Sequence, residues 1–117
     1  MVSIPPSITS IGEYSFARCT SLSHVSIASS VNSIDHCAFT RCKSLKYINI
    51  PSSVVSIGDY AFCQCAFPQI AIPYYVTSLG SCAFAECKQL KYVSLSAKIK
   101  EIKNDTFSSC PIKQILI

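Results

Sequence analysis

Glycine is scarce in this sequence, with three residues in 117. That is too few for the glycine-rich loop that cradles a phosphate. Acidic residues are sparse too: Glu13, Asp35, Asp59, Glu86, Glu101 and Asp105 are scattered along the chain. Glu13 and Asp59 occupy one position of the repeat described below, with His36 between them, so paired-carboxylate chemistry has no support. The two histidines, His24 and His36, fall in different columns of that repeat and on opposite faces. His36 adjoins Cys37, but consecutive side chains rarely point together, and no thiol–imidazole pair is expected there. The reading is of a chain without catalytic machinery. No apolar run approaches the ~20 residues of a membrane span. The stretch from Met1 to Pro6 has no Lys or Arg, unlike a secretory signal peptide.

Charged residues make up 14% of the chain and hydrophobic ones 50%. Such a composition can bury a core and is far from a disordered profile. The net charge of +4 is mildly basic. A nucleic-acid surface needs a broad basic stripe with interleaved aromatics. Arg18 with Arg41, and Lys98, Lys100 and Lys103, read instead as solvated faces.

Internal repetition dominates what is present. Phenylalanine recurs at Phe16, Phe39, Phe62, Phe84 and Phe107, in steps of 23, 23, 22 and 23. A cysteine follows each by three residues: Cys19, Cys42, Cys65, Cys87 and Cys110. Branched aliphatics precede each by five (Ile11, Ile34, Ile57, Leu79, Ile102) and by eight (Ile8, Val31, Val54, Val76, Ile99). Alternating apolar triplets close the units, from Val25-Ser26-Ile27 to Ile115-Leu116-Ile117, and Val2-Ser3-Ile4 fits the same column. Period two in β-branched residues predicts six short strands, each with one buried face. Corners are one residue shorter after Cys65 and Cys110 than after the other column cysteines. Gly12, Asp35, Gly58 and Gly80 are residue types suited to a tight bend. The stretches around each Phe, such as 13–19, space Phe and Cys one helical turn apart and predict a short helix or 3₁₀ segment. One unit cannot bury its apolar side alone, whereas stacked units share a continuous core.

The string Ser53-Val54-Val55-Ser56-Ile57-Gly58-Asp59-Tyr60-Ala61-Phe62-Cys63-Gln64-Cys65, with Leu45-Lys46-Tyr47-Ile48-Asn49-Ile50-Pro51, resembles the BspA-like leucine-rich repeat. The resemblance covers the whole chain. Phe67 and Ile112 stand where that pattern has leucine, and Asp35 and Lys103 where it has glycine. It implies an α/β fold: a leucine-rich-repeat solenoid, a right-handed βα superhelix. Short parallel strands are expected on its concave face, and short helical or 3₁₀ segments and turns on its convex face. One domain, 1–117, is expected, with repeats at approximately 4–26, 27–49, 50–71, 72–94 and 95–117. Proteins of this class are mostly large surface proteins of bacteria and parasitic protists that look like adhesins. The resemblance thus implies a protein ligand, such as a host or extracellular-matrix protein, and a cell-surface location.

Five of the eight cysteines form the one-per-repeat column and read as small buried hydrophobes. No Cys-x-x-Cys pair or zinc-finger spacing occurs, so neither a metal nor a cofactor is expected. Eight free thiols fit a reducing compartment, which favours the alternative of a cytoplasmic scaffold. On the concave sheet the outward positions form a polar and aromatic surface bordered by lysines. The candidate protein-binding residues there are His24, Lys46, Tyr47, Asn49, Gln69, Lys91, Tyr92, Lys113 and Gln114. Both ends fall inside the repeat without a polar cap, which suggests a piece of a longer array or a homo-oligomer joined end to end.

Overall fold

The computed structural model describes residues 2–117. The first five strands are β1 (Val2–Ile4), β2 (Ser10–Ile11), β3 (His24–Ile27), β4 (Ser33–Ile34) and β5 (Tyr47–Asn49). They are followed by β6 (Ser56–Ile57), β7 (Gln69–Ala71), β8 (Ser78–Leu79), β9 (Tyr92–Ser94) and β10 (Gln114–Leu116). Every pairing is parallel and joins equivalent positions of successive repeats, such as Val25 with Ile48 and Ile34 with Ile57. The molecule is a solenoid. All six strands expected from the apolar triplets form, at β1, β3, β5, β7, β9 and β10. A second ladder, β2-β4-β6-β8, runs through the Ser-Ile columns, which the sequence reading had not assigned to strands.

The expected helical segments are absent: among the described residues there is no helix, and the fold is a β-solenoid with a turn side. Main-chain bonding explains this. Around Phe16, alternate N–H groups close three-residue turns, from Ser15 to the Gly12 carbonyl, Ala17 to Tyr14 and Cys19 to Phe16. The intervening N–H groups leave their own rung, Tyr14 donating to His36 (3.2 Å), Phe16 to Ala38 (2.8 Å) and Arg18 to Thr40 (2.8 Å). A helix would keep all of these donors within one rung. The three-residue Phe–Cys spacing is that of a turn, not of a helix.

The turns also place their strain where the sequence reading did not. No glycine has positive φ; instead Tyr14, Cys37, Tyr60 and Cys82, and Arg18, Arg41, Gln64, Glu86 and Ser109, sit near +60°. Each such residue costs on the order of 1 kcal/mol, offset at all but Ser109 by a cross-rung bond, which at Cys82 is to the Asp105 carboxylate. Glycine serves close approach. A Cβ on Gly58 would lie 2.7 Å from the His36 nitrogen, and one on Gly80 would run into the Asp59 nitrogen and the Gly58 carbonyl carbon.

The core lies between the strand and turn sides. Phe16, Phe39, Phe62, Phe84 and Phe107 stack in one column, with centroids 5.1, 5.3, 5.2 and 5.5 Å apart and planes within 12°. Behind each step, a column cysteine donates its S–H to the Phe carbonyl one rung back: Cys42 to Phe16 (3.0 Å), Cys65 to Phe39 (3.3 Å), Cys87 to Phe62 (3.3 Å) and Cys110 to Phe84 (3.0 Å). Cys42, Cys65 and Cys87 are buried, Cys110 half-buried and Cys19 exposed; all five are unbridged.

Gly80→Ala is expected to destabilise the fold by ~1–3 kcal/mol through overpacking against main chain. Gly12→Ala, whose Cβ meets only the Ser15 Oγ at 3.4 Å, should leave the denaturation midpoint nearly unchanged. Equal effects in chemical denaturation would refute the close-approach role.

Candidate functional site

The strand side is not one sheet. β1-β3-β5 form one group and β7-β9-β10 another, with no pairing across the boundary. Every Cα of β5 lies more than 8 Å from every Cα of β7, against ~4.8 Å for paired strands. On the turn side the same two rungs stay together, with Phe39 and Phe62 stacked 5.3 Å apart and β4 paired to β6. The rungs therefore diverge as a wedge that opens on the strand face.

One residue accounts for the split. Entry into β5 is secured by the N–H groups of Lys46 and Tyr47, both donating to the Ser23 carbonyl (3.1 and 3.3 Å). Entry into β10 is secured likewise by Lys113 and Gln114, both donating to Lys91 (2.8 and 3.2 Å). The corresponding residue before β7 is Pro68, which has no N–H to give. The shortened corner is not the cause, because the corner before β10 is shortened in the same way and β10 pairs with β9. The Asn49 side chain bridges back to β3, accepting from the Ile27 N–H (2.8 Å) and donating to the Ile27 carbonyl (3.1 Å). Its counterpart Ala71 has no amide, but neither have Ser94 and Leu116, whose strands β9 and β10 pair normally.

The split leaves a groove of about 570 Å³. Of the nine residues anticipated as a binding surface, Lys46, Tyr47, Asn49, Gln69, Tyr92 and Gln114 line it. His24, Lys91 and Lys113 do not. His24 packs beside Tyr47 with centroids 6.0 Å apart, while Lys91 and Lys113 follow the same border column as Lys46. Tyr47 and Tyr92 are about half exposed, at 56% and 46%. Missed by the sequence reading were Pro68 as the origin of the groove and the main chain of Ile48, Ile50 and Ala71 in its walls. A proline in a strand column was the available signal.

The turn side carries a second cluster and one correction. The His36 Nε2 lies 3.4 Å from the Cys37 Sγ and 3.4 Å from the Tyr14 hydroxyl, so these neighbours do point together. The left-handed conformation of Cys37 swings its side chain back beside His36. Both contacts converge on one ring nitrogen, and among the described residues no hydrogen bond reaches the other. The phenol of Tyr14 is held above its usual range, chiefly by its hydrogen bond with Cys37. A nucleophilic pair needs a third, orienting member, and this cluster has none.

Together these features define a leucine-rich-repeat solenoid with an open, aromatic-lined strand face. Residues 9–117 match the BspA type leucine rich repeat region in six copies, and the chain belongs to that family. It is similar to a leucine-rich repeat protein from Bacteroides ovatus, with 33% identity and a TM-score of 0.77, covering 97% of this chain and 38% of that one. The pneumococcal vaccine antigen PcpA shares the fold, with a TM-score of 0.82 at 19% identity over 97% of this chain and 28% of its own. So does a leucine rich cell surface protein from Faecalibacterium prausnitzii, with a TM-score of 0.53 at 24% identity over 88% and 40%. This chain spans well under two thirds of each. No curated protein sequence matches it.

The thiols differ in chemistry. Burial raises Cys42 to about 11 and drives Cys65 well above its usual value. Cys110 is lowered to about 7, chiefly by side-chain hydrogen bonding with the Cys87 sulfur. Iodoacetamide labelling should therefore rise at Cys110 as pH increases through about 7, with Cys42 and Cys65 unlabelled until the protein is denatured. Peptide mass spectrometry checks this. Equal labelling of all three in the folded protein would contradict it.

Proposed function

We propose that this chain is a non-enzymatic protein-binding module, part of an adhesin-like cell-surface protein that meets host or extracellular proteins through its strand face. The observation that carries this reading is the groove lined by Tyr47, Tyr92, Asn49, Gln69 and Gln114. Tyrosines at rung spacing give contact area at low entropic cost, and the groove's one charged side chain among the described residues is Lys46. The family and the fold shared with a vaccine antigen and a cell surface protein support the same reading. Tyr47→Ala with Tyr92→Ala is expected to lower attachment to epithelial cells or immobilised matrix proteins by ~10-fold or more. Unchanged attachment, with the fold intact by circular dichroism, would defeat the reading.

The eight unbridged thiols favour a second reading, an intracellular interaction scaffold in a reducing compartment. Impermeant labelling of intact cells separates the two. Labelled protein supports the surface reading, and protection until lysis supports the scaffold.

A further inference from the structure

The walls of the groove are main chain as well as side chain. In a parallel ladder, alternate residues direct both main-chain groups toward the same neighbouring strand. In β3, Ile27 turns its N–H and C=O toward β5, where they meet the Asn49 side chain. Ile48, paired in register with Val25, and Ile50 two residues on, therefore turn theirs toward β7. On the opposite wall, Ile72 donates to Ser94 on the far side (2.8 Å). Ile70 shares that orientation, so Gln69 and Ala71 face back toward β5. Among the described residues, no main-chain hydrogen bond reaches the inward-facing groups of Ile48, Ile50, Gln69 or Ala71.

A row of unpaired donors and acceptors is a template for another strand. Here two such rows face each other within one molecule. A single extended segment, ~4.8 Å from each wall, needs ~9.6 Å between them. The walls already stand more than 8 Å apart. The rungs do not close the gap themselves, since Pro68 lacks the donor that Lys46, Lys91 and Lys113 supply at the other levels. We propose that the seam between β5 and β7 accepts one extended peptide segment as an inserted strand, hydrogen-bonded on both edges.

Charge narrows the occupant. Lys46, Lys91 and Lys113 follow one border of the face, and none of the six acids lies in the groove. The fitting segment is a β-branched peptide, suited to extended backbone, with an acidic residue at the end that meets the Lys46 border. The inference rests on the protein-binding reading above and specifies how the partner is held: by main-chain pairing at the seam rather than by the tyrosines alone.

The probe is a synthetic peptide of alternating threonine and valine flanked by glutamates, with a second version N-methylated at alternate amides. Hydrogen exchange and NMR titration of the whole chain follow binding. The unmodified peptide should slow exchange at the Ile48, Ile50, Gln69 and Ala71 amides by ~10-fold or more, and methylation should abolish this. Pro68→Lys should zip β5 to β7, slowing the same amides without peptide and removing peptide binding. That variant keeps Tyr47 and Tyr92, so loss of peptide binding with cell attachment retained would leave the general reading standing and confine the seam to peptides. Failure of the peptide to protect these amides, or equal binding of the methylated peptide, overturns the inserted strand. Concentration-dependent protection without peptide would assign the seam to a second copy of the chain, and overturns it too.

Discussion

Main-chain hydrogen bonds between rungs are the interaction on which the rest of this structure depends. Alternate N–H groups on the turn side, from Tyr14, Phe16 and Arg18 onward, donate to the next repeat rather than to their own. That requirement forbids a helix and accompanies left-handed backbone at eight of the nine non-glycine residues with positive φ among the described residues. It also brings rungs so close that Gly58 and Gly80 have no space for a Cβ. The phenylalanine stack follows from it, since rings on bonded rungs are held near 5 Å apart. The column cysteines from Cys42 onward fill the same layer, each thiol meeting the carbonyl of the Phe one rung back. Both columns are consequences of rung spacing.

In a quasi-one-dimensional stack, each rung contacts only its neighbours, so a local defect is not averaged away. Pro68 removes one donor, and an entire sheet divides in two. The core does not divide, because the phenylalanine stack and the β4–β6 pairing continue past the same level. The result is a stable solenoid with a wedge in one face. The wedge exposes main chain beside Tyr47 and Tyr92, which joins directional hydrogen bonding to aromatic area in one groove.

Much of this was legible in particular residues. The Phe and Cys columns, the apolar triplets and the resemblance they carry led to the solenoid and to the buried thiols. The outward strand positions led to six of the groove's lining residues. The helical segments were misread because a three-residue spacing is shared by a helix turn and by a chain of β-turns. Side-chain periodicity does not report which rung an N–H donates to. His36 and Cys37 were read as pointing apart because adjacency implies divergence in strands and helices; the left-handed φ of Cys37 reverses this.

The sequence by itself determined the repeat length, the buried columns and the outward face, because those depend on residue polarity at a fixed period. Tertiary structure alone decided where the sheet breaks. Pro68 and the shortened corner are visible in the sequence, but a shortened corner also precedes β10, which pairs normally. Whether a missing donor opens a groove depends on what the facing rung can supply instead. Only the stacked neighbours reveal that: the N–H groups of Lys91 and Lys113 secure β9 and β10 to the rung before, and Pro68 offers β5 no such donor.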